Sequence, residues 1–251
     1  MPSWNIHTAH VERLIADRNP KDLGIEDVNS FLFGNYVPDI YVGFMVRETT
    51  YRIDYCMTHV ADPNVIPVPD ADKFWDVYVR RRRKLSPAGL SLVLGAWAHL
   101  VADRFYNGRF RTFYQSHDMP QGEELRIRKQ GDFDLFGRSL DISSRVVATP
   151  ELLVAARDFR PYSILPDDVA RSIAAADAIV REAEKGAVGR TYQLLDEQWM
   201  NATFDACNER LITWLETWRS LEQSGRKASS VEVREEAGLP PATTPFSAAA
   251  L

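Results

Sequence analysis

The stretch Gly95-Ala-Trp-Ala-His99-Leu-Val-Ala-Asp103-Arg-Phe-Tyr106 constrains this chain more than any other. Ser86 is a favoured N-cap, and Pro87 suits the first helical position, where a missing N–H costs nothing. From Leu90 to Phe105 apolar residues fall on nearly every face: Leu90, Leu92, Val93, Leu94, Trp97, Leu100, Val101 and Phe105. A helix that is apolar all round is buried among other elements, so residues 86–106 predict a central core helix. Yet this helix carries His99 and Asp103, whose i,i+4 spacing projects both side chains from one face. Gly95, Ala96 and Ala102 flank them and predict room for a third body. Imidazole and carboxylate converging on a small space suit a divalent metal; they equally suit a hydrogen-bonded couple.

Composition bounds the alternatives. The chain has 251 residues, enough for one large domain or two small ones, and its 45% apolar and 26% charged content is that of a soluble globular protein. A net charge of −5 argues against general nucleic-acid binding. Cys56 and Cys207 lie far apart and form no CxxC, so neither a zinc knuckle nor a disulfide framework is indicated. Glu12, Arg13, Asp17, Arg18, Lys21 and Asp22 leave no apolar h-region near the start. No apolar run approaches the roughly 18 residues of a membrane span, so the expectation is a cytoplasmic protein without one.

Helical periodicity recurs along the chain. Asn5 to Arg18 reads as an amphipathic helix with Ile6, Val11, Leu14 and Ile15 inward; His7 shares that stripe and His10 lies at its edge. Ile25 to Tyr36 predicts a second helix, broken at Val37-Pro38-Asp39-Ile40, where Pro38 fixes the direction of Asp39. A turn or cap accounts for Asp39 as well as a functional role does. Tyr51 to Val60 fits helix or strand, and the prolines of Ala61 to Asp70 enforce irregular chain. His59 closes the ordered part, with Asp62 a turn beyond, placed to orient the imidazole.

Asp72 to Lys84 predicts a helix ending in Arg80-Arg81-Arg82-Arg83-Lys84, either a solvated C-terminus or a patch that attracts phosphate-bearing ligands. Beyond the central helix, Arg109 to His117 continues it, and His117-Asp118 point to different sides. Further helices are expected at 130–140, 149–157, 166–185 and 196–221. Convincing strands are absent. The pattern predicts an all-α fold, a single domain over residues 1–222 wrapped around residues 86–106. A tail rich in Ser, Ala, Pro and Thr, residues 223–251, is expected to be disordered.

The chemistry-bearing residues in chain order are His7, Asp39, His59, His99 and Asp103. Burying several such groups costs several kcal/mol unless they are paired or bind metal. The strings Met1-Pro-Ser-Trp4-Asn-Ile-His7, Gly34-Asn-Tyr-Val-Pro38-Asp39, Thr58-His59 and Gly95-Ala-Trp-Ala-His99-Leu-Val-Ala-Asp103 together resemble the zinc-dependent phospholipase C family. That family shares its all-α fold with secreted single-strand nucleases, and the resemblance covers about residues 1–140. It implies that Asp39, His59, His99 and Asp103 bind one metal, that His7 helps hold a second, and that Asp103 bridges them. It implies metal-activated water as nucleophile on a phosphoester, with Asp39 or Asp62 as general base. The secreted members begin at a tryptophan whose amino group and carbonyl bind metal; Trp4, inside the chain, is left with packing and its carbonyl. They also complete a third metal site with two histidines and a glutamate after the central helix, where this chain offers only His117, so one or two metals are expected. The ligand mix suggests Zn2+, with Mn2+ or Fe also accommodated. The implied partner is a small phosphoester or a phospholipid head group, attracted by residues 80–84. The alternative is a non-catalytic helical protein that keeps a structural or relic metal site and acts through partners.

Overall fold

The computed structural model describes residues 2–64, 68–82, 84–183 and 191–240, and everything below concerns those residues. They form eleven α-helices and no strand. In order these are α1 (Trp4–Asp17), α2 (Val28–Gly34), α3 (Val37–Ile40), α4 (Tyr55–Thr58), α5 (Ala71–Phe74), α6 (Pro87–Gln115), α7 (Gly122–Ser139), α8 (Pro150–Arg157), α9 (Pro166–Ala183), α10 (Glu197–Gln223) and α11 (Ser230–Glu236). A 3-10 turn, Pro20–Leu23, follows α1, and α5 runs on into π-helical Trp75–Arg80.

α6 is the axis of the fold. Ser86 Oγ accepts the Gly89 N–H at 3.1 Å, and Pro87 starts a helix of 29 residues that absorbs the expected 109–117 segment. His99 and Asp103 sit on one face. On that side α2 packs so closely that a Cβ on Gly95 would meet the Phe31 carbonyl oxygen at 2.1 Å, and one on Gly34 the Leu92 carbonyl oxygen at 2.3 Å. This corrects the expectation that Gly95 leaves room for a third body: its space holds the α2 backbone. The opposite face is aromatic. Trp97 packs against Trp75 and Trp214 with ring centroids 5.0 and 5.4 Å apart, and Trp75 meets Trp218 edge-on at 5.5 Å. α10 supplies Trp214 and Trp218 from its buried stripe.

Several boundaries differ from the periodicity, each for a visible reason. α2 begins at Val28, where Asp27 caps it by accepting the Ser30 N–H at 2.8 Å, and Val37–Ile40 forms a separate turn with Pro38 in its first positions. Tyr51–Val60 is neither a full helix nor a strand: only Tyr55–Thr58 is helical. The chain before it is tied down by buried Asp168, which accepts the Tyr41 hydroxyl and the Thr50 N–H, each at 3.0 Å. α7 starts at Gly122 rather than near Gln130. Its first turns carry the Glu123–Arg126 and Glu124–Arg128 pairs on an exposed surface, so no apolar stripe announces them.

The expected disordered tail is also corrected over 224–240. Ser229 and Glu232 make a reciprocal capping box at the start of α11, Ser230 donates to Asp76 from its N–H and hydroxyl at 2.9 Å, and Arg234 pairs with Asp72 at 2.5 Å. Residues 241–251 lie outside the described residues, as do residues 184–185 of the expected 166–185 helix. Two members of the basic run are tied into the fold. Arg82 pairs with Glu222 and lies over the Trp218 ring, and Arg80 Nε donates to the Lys227 carbonyl at 3.1 Å. Arg81 and Lys84 are exposed, and Arg83 lies outside the described residues. Among the described residues no helix is long and apolar enough to cross a membrane.

Candidate metal centre

The five residues that the sequence singles out converge from four elements. His7 comes from α1, Asp39 from the first turn of α3, His59 from the C-cap of α4, and His99 with Asp103 from α6. The local chain aims each of them. Pro38 starts the turn that carries Asp39, and the Asp39 N–H bonds to the Tyr36 carbonyl at 3.1 Å. Beyond His59, Val60 takes a φ of +54°, a left-handed conformation costly for a β-branched residue. That sharp turn sends the chain away while His59 stays inside.

The side chains meet at ion-pair range. His59 Nε2 lies 3.6 Å from Asp39 Oδ1 and 3.6 Å from Asp103 Oδ2. His99 Nε2 lies 3.5 Å from Asp103 Oδ2 and 3.9 Å from Asp39 Oδ2. His7 Nε2 is 3.4 Å from Asp103 Oδ1, and its ring stacks on that of His99 with centroids 4.0 Å apart. Two overlapping ligand sets follow, His7–His99–Asp103 and Asp39–His59–His99, each with its donor atoms within 4.8 Å of one another. The three imidazoles are wholly buried and the Asp103 side chain is 3% exposed, whereas that of Asp39 is 21% exposed. Asp39 is therefore the solvent-facing side of the cluster.

The hydrogen-bond network assigns the tautomers. His99 Nδ1 lies 2.8 Å from the Asn35 carbonyl oxygen, which only accepts, so Nδ1 carries the proton. The Thr58 hydroxyl donates to the Tyr55 carbonyl at 3.2 Å and accepts from His59 Nδ1 at 2.8 Å. Each neutral ring then presents the lone pair of Nε2, and the two Nε2 atoms face each other at 3.3 Å. Two lone pairs at that distance repel, and carboxylates stand beside them. Such an arrangement calls for a cation between the groups, either a proton or a metal ion. His7 Nδ1, His7 Nε2 and Asp103 Oδ1 are buried without a hydrogen-bond partner among the described residues, at a cost of about 1–3 kcal/mol each unless something satisfies them.

Electrostatics point the same way. Burial opposes a charge on His99, yet Asp103 and Asp39 raise its pKa to about 9. Burial also works against ionised Asp103, but positive His99 first, and then the neighbouring His59 and His7, hold it well below the usual carboxylate range. His7 is lowered, first by burial and then by the charge of His99. The pocket thus attracts positive charge to the point between the rings and carboxylates, and the ligands remain in their metal-binding forms when a divalent ion supplies that charge.

Other candidates lie elsewhere. Asp62 is exposed, and its Oδ1 accepts from the Asn64 N–H and side-chain amide at 2.9 and 3.0 Å; Thr58, not Asp62, orients His59. His10 faces away, bonded to Asn208 at 3.0 Å and stacked on Phe204, and burial drives its pKa down to about 3, so it is neutral. His117 is exposed beside Phe113. Trp4 serves differently from the expectation: its carbonyl accepts the Thr8 hydroxyl at 2.8 Å, while its indole N–H donates to Asp39 Oδ2 at 3.0 Å. Two contributors escaped the sequence reading. Tyr55 stacks on His59 at 3.9 Å, a contact that i,i+4 spacing hints at, and Asn35 acts through its carbonyl, which no side-chain pattern reveals. No protein-family model, no curated protein and no solved structure matches this chain.

Proposed function

We propose that His7, Asp39, His59, His99 and Asp103 hold one or two divalent cations, and that the protein is a metal-dependent hydrolase of phosphoester bonds. The observation that carries the metal assignment is the pair of imidazole Nε2 atoms that face each other 3.3 Å apart, flanked by carboxylates. The nitrogen and oxygen donor set favours Zn2+, with Mn2+ or Fe accommodated. The hydrolytic assignment rests on the resemblance to the zinc-dependent phospholipases C, and the substrate class is a small phosphoester or a phospholipid head group.

A divalent ion bound here supplies Lewis acidity toward a phosphoryl oxygen and a lowered pKa for water. The protein's own groups do the rest. Asn35 and Thr58 hold His99 and His59 in the tautomers that present Nε2. Asp103 divides its oxygens, Oδ1 toward His7 and Oδ2 toward His59 and His99, the posture of a bridging carboxylate. Trp4 holds Asp39 by Oδ2 and leaves Oδ1 without a hydrogen-bond donor. As the only partly exposed member, Asp39 is the group placed to take a proton from water entering from solvent. Asp62, already engaged by Asn64, is withdrawn from that role.

A second reading keeps the metal without the reaction, as a structural or relic site in a protein that acts through partners; the nearly complete burial of four ligands favours it. One experiment separates the readings. Protein purified without a histidine-rich tag is analysed for bound elements, then assayed on bis-nitrophenyl phosphate and nitrophenyl-phosphorylcholine. One or two equivalents of metal and turnover lost in His99→Ala supports hydrolysis. Metal without turnover supports the structural reading, and no metal after dialysis against zinc removes both.

A further inference from the structure

The face of α6 opposite the candidate metal centre carries a second feature. Trp97, Val101 and Phe105 follow one another at i,i+4 spacing, half a turn around the helix from His99 and Asp103. With Trp214 of α10 they line an open cavity of about 220 Å³. For comparison, an engineered apolar cavity of roughly 150 Å³ takes up benzene. Apolar side chains with a few convergent polar groups are the usual make-up of a small-molecule site.

The polar lining of this cavity is mostly cationic: Arg104, Arg109 and Arg210 stand there beside Thr112 and one carboxylate, Asp72. Trp97 and Trp214 are 1% and 3% exposed, and the indole N–H of each has no acceptor among the described residues. Arg109 stands at the rim, exposed, with no hydrogen bond or ion pair among the described residues. Arg210 enters from α10, and its guanidinium donates only to the Pro240 carbonyl at 3.2 Å. The carboxylate that would neutralise it, Asp72, is taken by Arg234 at 2.5 Å. Burial and then the like charge of Arg234 lower the Arg210 pKa, and the nearby Asp72 opposes them only in part.

We infer that this cavity binds a small amphipathic anion, its apolar body against Trp97, Val101, Phe105 and Trp214 and its acidic head held by Arg109 and Arg210. Guanidinium forks match carboxylate, sulfonate and phosphate heads alike, so the head is defined by charge and the body by its apolar surface. The site is separate from the metal centre, and its occupancy does not depend on whether the phosphoester reading holds.

The test uses the full chain and anilinonaphthalene sulfonate, an aromatic anion whose fluorescence reports apolar contact. The expected Kd is on the order of 10 μM, with displacement by decanoate and at least about tenfold weaker displacement by decanol. Arg109→Ala, at an exposed residue that holds nothing in the fold, weakens binding about threefold to tenfold, and Arg210→Gln by tenfold or more. Thr112→Trp, at the mouth of the cavity, blocks the probe while thermal midpoint and metal content stay those of the parent. The inference fails if Arg109→Ala and Thr112→Trp leave binding unchanged, or if decanol competes as well as decanoate. It fails also if inorganic phosphate alone competes as well, which reduces the site to a bare anion contact. Binding seen only after removal of residues 241–251, the segment that continues from Pro240, assigns the cavity to the chain itself and equally overturns it.

Discussion

The two faces of α6 solve opposite problems with one helix. On one face His99 and Asp103 are as deeply buried as the core around them, yet they make contacts that an apolar core would not tolerate: facing imidazole nitrogens and a carboxylate oxygen without a hydrogen-bond partner among the described residues. On the other, Trp97 meets Trp75 and Trp214 in edge-on and tilted contacts that satisfy the aromatic geometry almost completely. The aromatic face stabilises the fold; the polar face spends some of that stability on a cluster poised to take up a cation. The comparison teaches that burial alone does not identify a site. What distinguishes the polar face is burial together with titratable groups from four elements whose ligand atoms converge, in two overlapping sets, within 4.8 Å of one another.

The largest expected effect tests whether the two faces share one support. Gly95→Val places a branched side chain where the Phe31 carbonyl oxygen already stands, at a Cβ distance of 2.1 Å. Backbone cannot yield as a flexible side chain does, so α2 must shift, at a cost of at least about 3 kcal/mol in chemical denaturation. Because α2 leads directly to Asn35 and Asp39, bound metal is expected to fall with stability. A variant that keeps the parent's stability would show that the close α2–α6 contact is not what holds the polar face together.

The next test separates the faces. Trp97→Ala removes a fully buried indole and is expected to cost about 3–5 kcal/mol while leaving the metal content of the folded protein unchanged. Asp103→Ala is expected to do the reverse: bound metal is lost, far-UV helicity is kept, and the loss of stability of the metal-free protein is smaller than for Trp97→Ala. Elemental analysis and thermal denaturation of both variants check the crossing. Loss of metal in Trp97→Ala at a temperature where it is folded would break the division between the faces.

Acidity gives a smaller, signed effect. In the metal-free protein His99 is raised from 6.5 to about 9, so protonated His99 contributes stability that is full below pH 6.5 and is lost as pH rises through about 9. The size is on the order of 1–3 kcal/mol. Asp103 is depressed, so its contribution is lost only in strong acid and does not slope across this window. A metal ion replaces that proton, so through this group the metal-bound protein gains stability as pH rises toward 6.5 and is flat between 6.5 and 9, where the metal-free protein loses it. Denaturation series with and without chelator measure both slopes, and parallel slopes would mean that the ion does not bind at His99.

How much of this was legible in the sequence depended on what kind of signal each element used. α6 announced itself through its cap and continuous apolar run, and His99 and Asp103 through their i,i+4 spacing inside it. His7, Asp39 and His59 carried no geometric signal of their own; their convergence depends on Pro38, the Val60 turn and the packing of α1 on its neighbours, which periodicity does not encode. Gly95 was misread because a glycine beside ligands looks like space, whereas its missing Cβ is filled by the neighbouring helix. α11 was missed because composition outweighed Ser229-Ser-Val-Glu232, a legible capping box whose helix is secured by Asp76 and Asp72 from far away in the chain. The Asp62 assignment failed for a similar reason: nearness in sequence to His59 suggested support, but the carboxylate closes its own local turn.

That last correction yields the finest test of the polar face. Thr58 and Asp62 flank the same ligand, one by hydrogen bond and one only by sequence. Thr58→Val keeps the shape of the side chain and removes the hydroxyl that receives His59 Nδ1–H, freeing the ring to rotate or change tautomer. Losses of about 10–100-fold in metal affinity are typical when such a supporting partner is removed, and that range is expected here. Asp62→Ala removes only the exposed contacts to Asn64 and is expected to change stability by less than about 0.5 kcal/mol and metal affinity not at all. Competition with a chelator of known affinity reads both. Equal losses would mean that the loop after His59, rather than the Thr58 hydroxyl, fixes the imidazole; a loss confined to Thr58→Val assigns the tautomer, and with it the facing lone pairs, to that single bond.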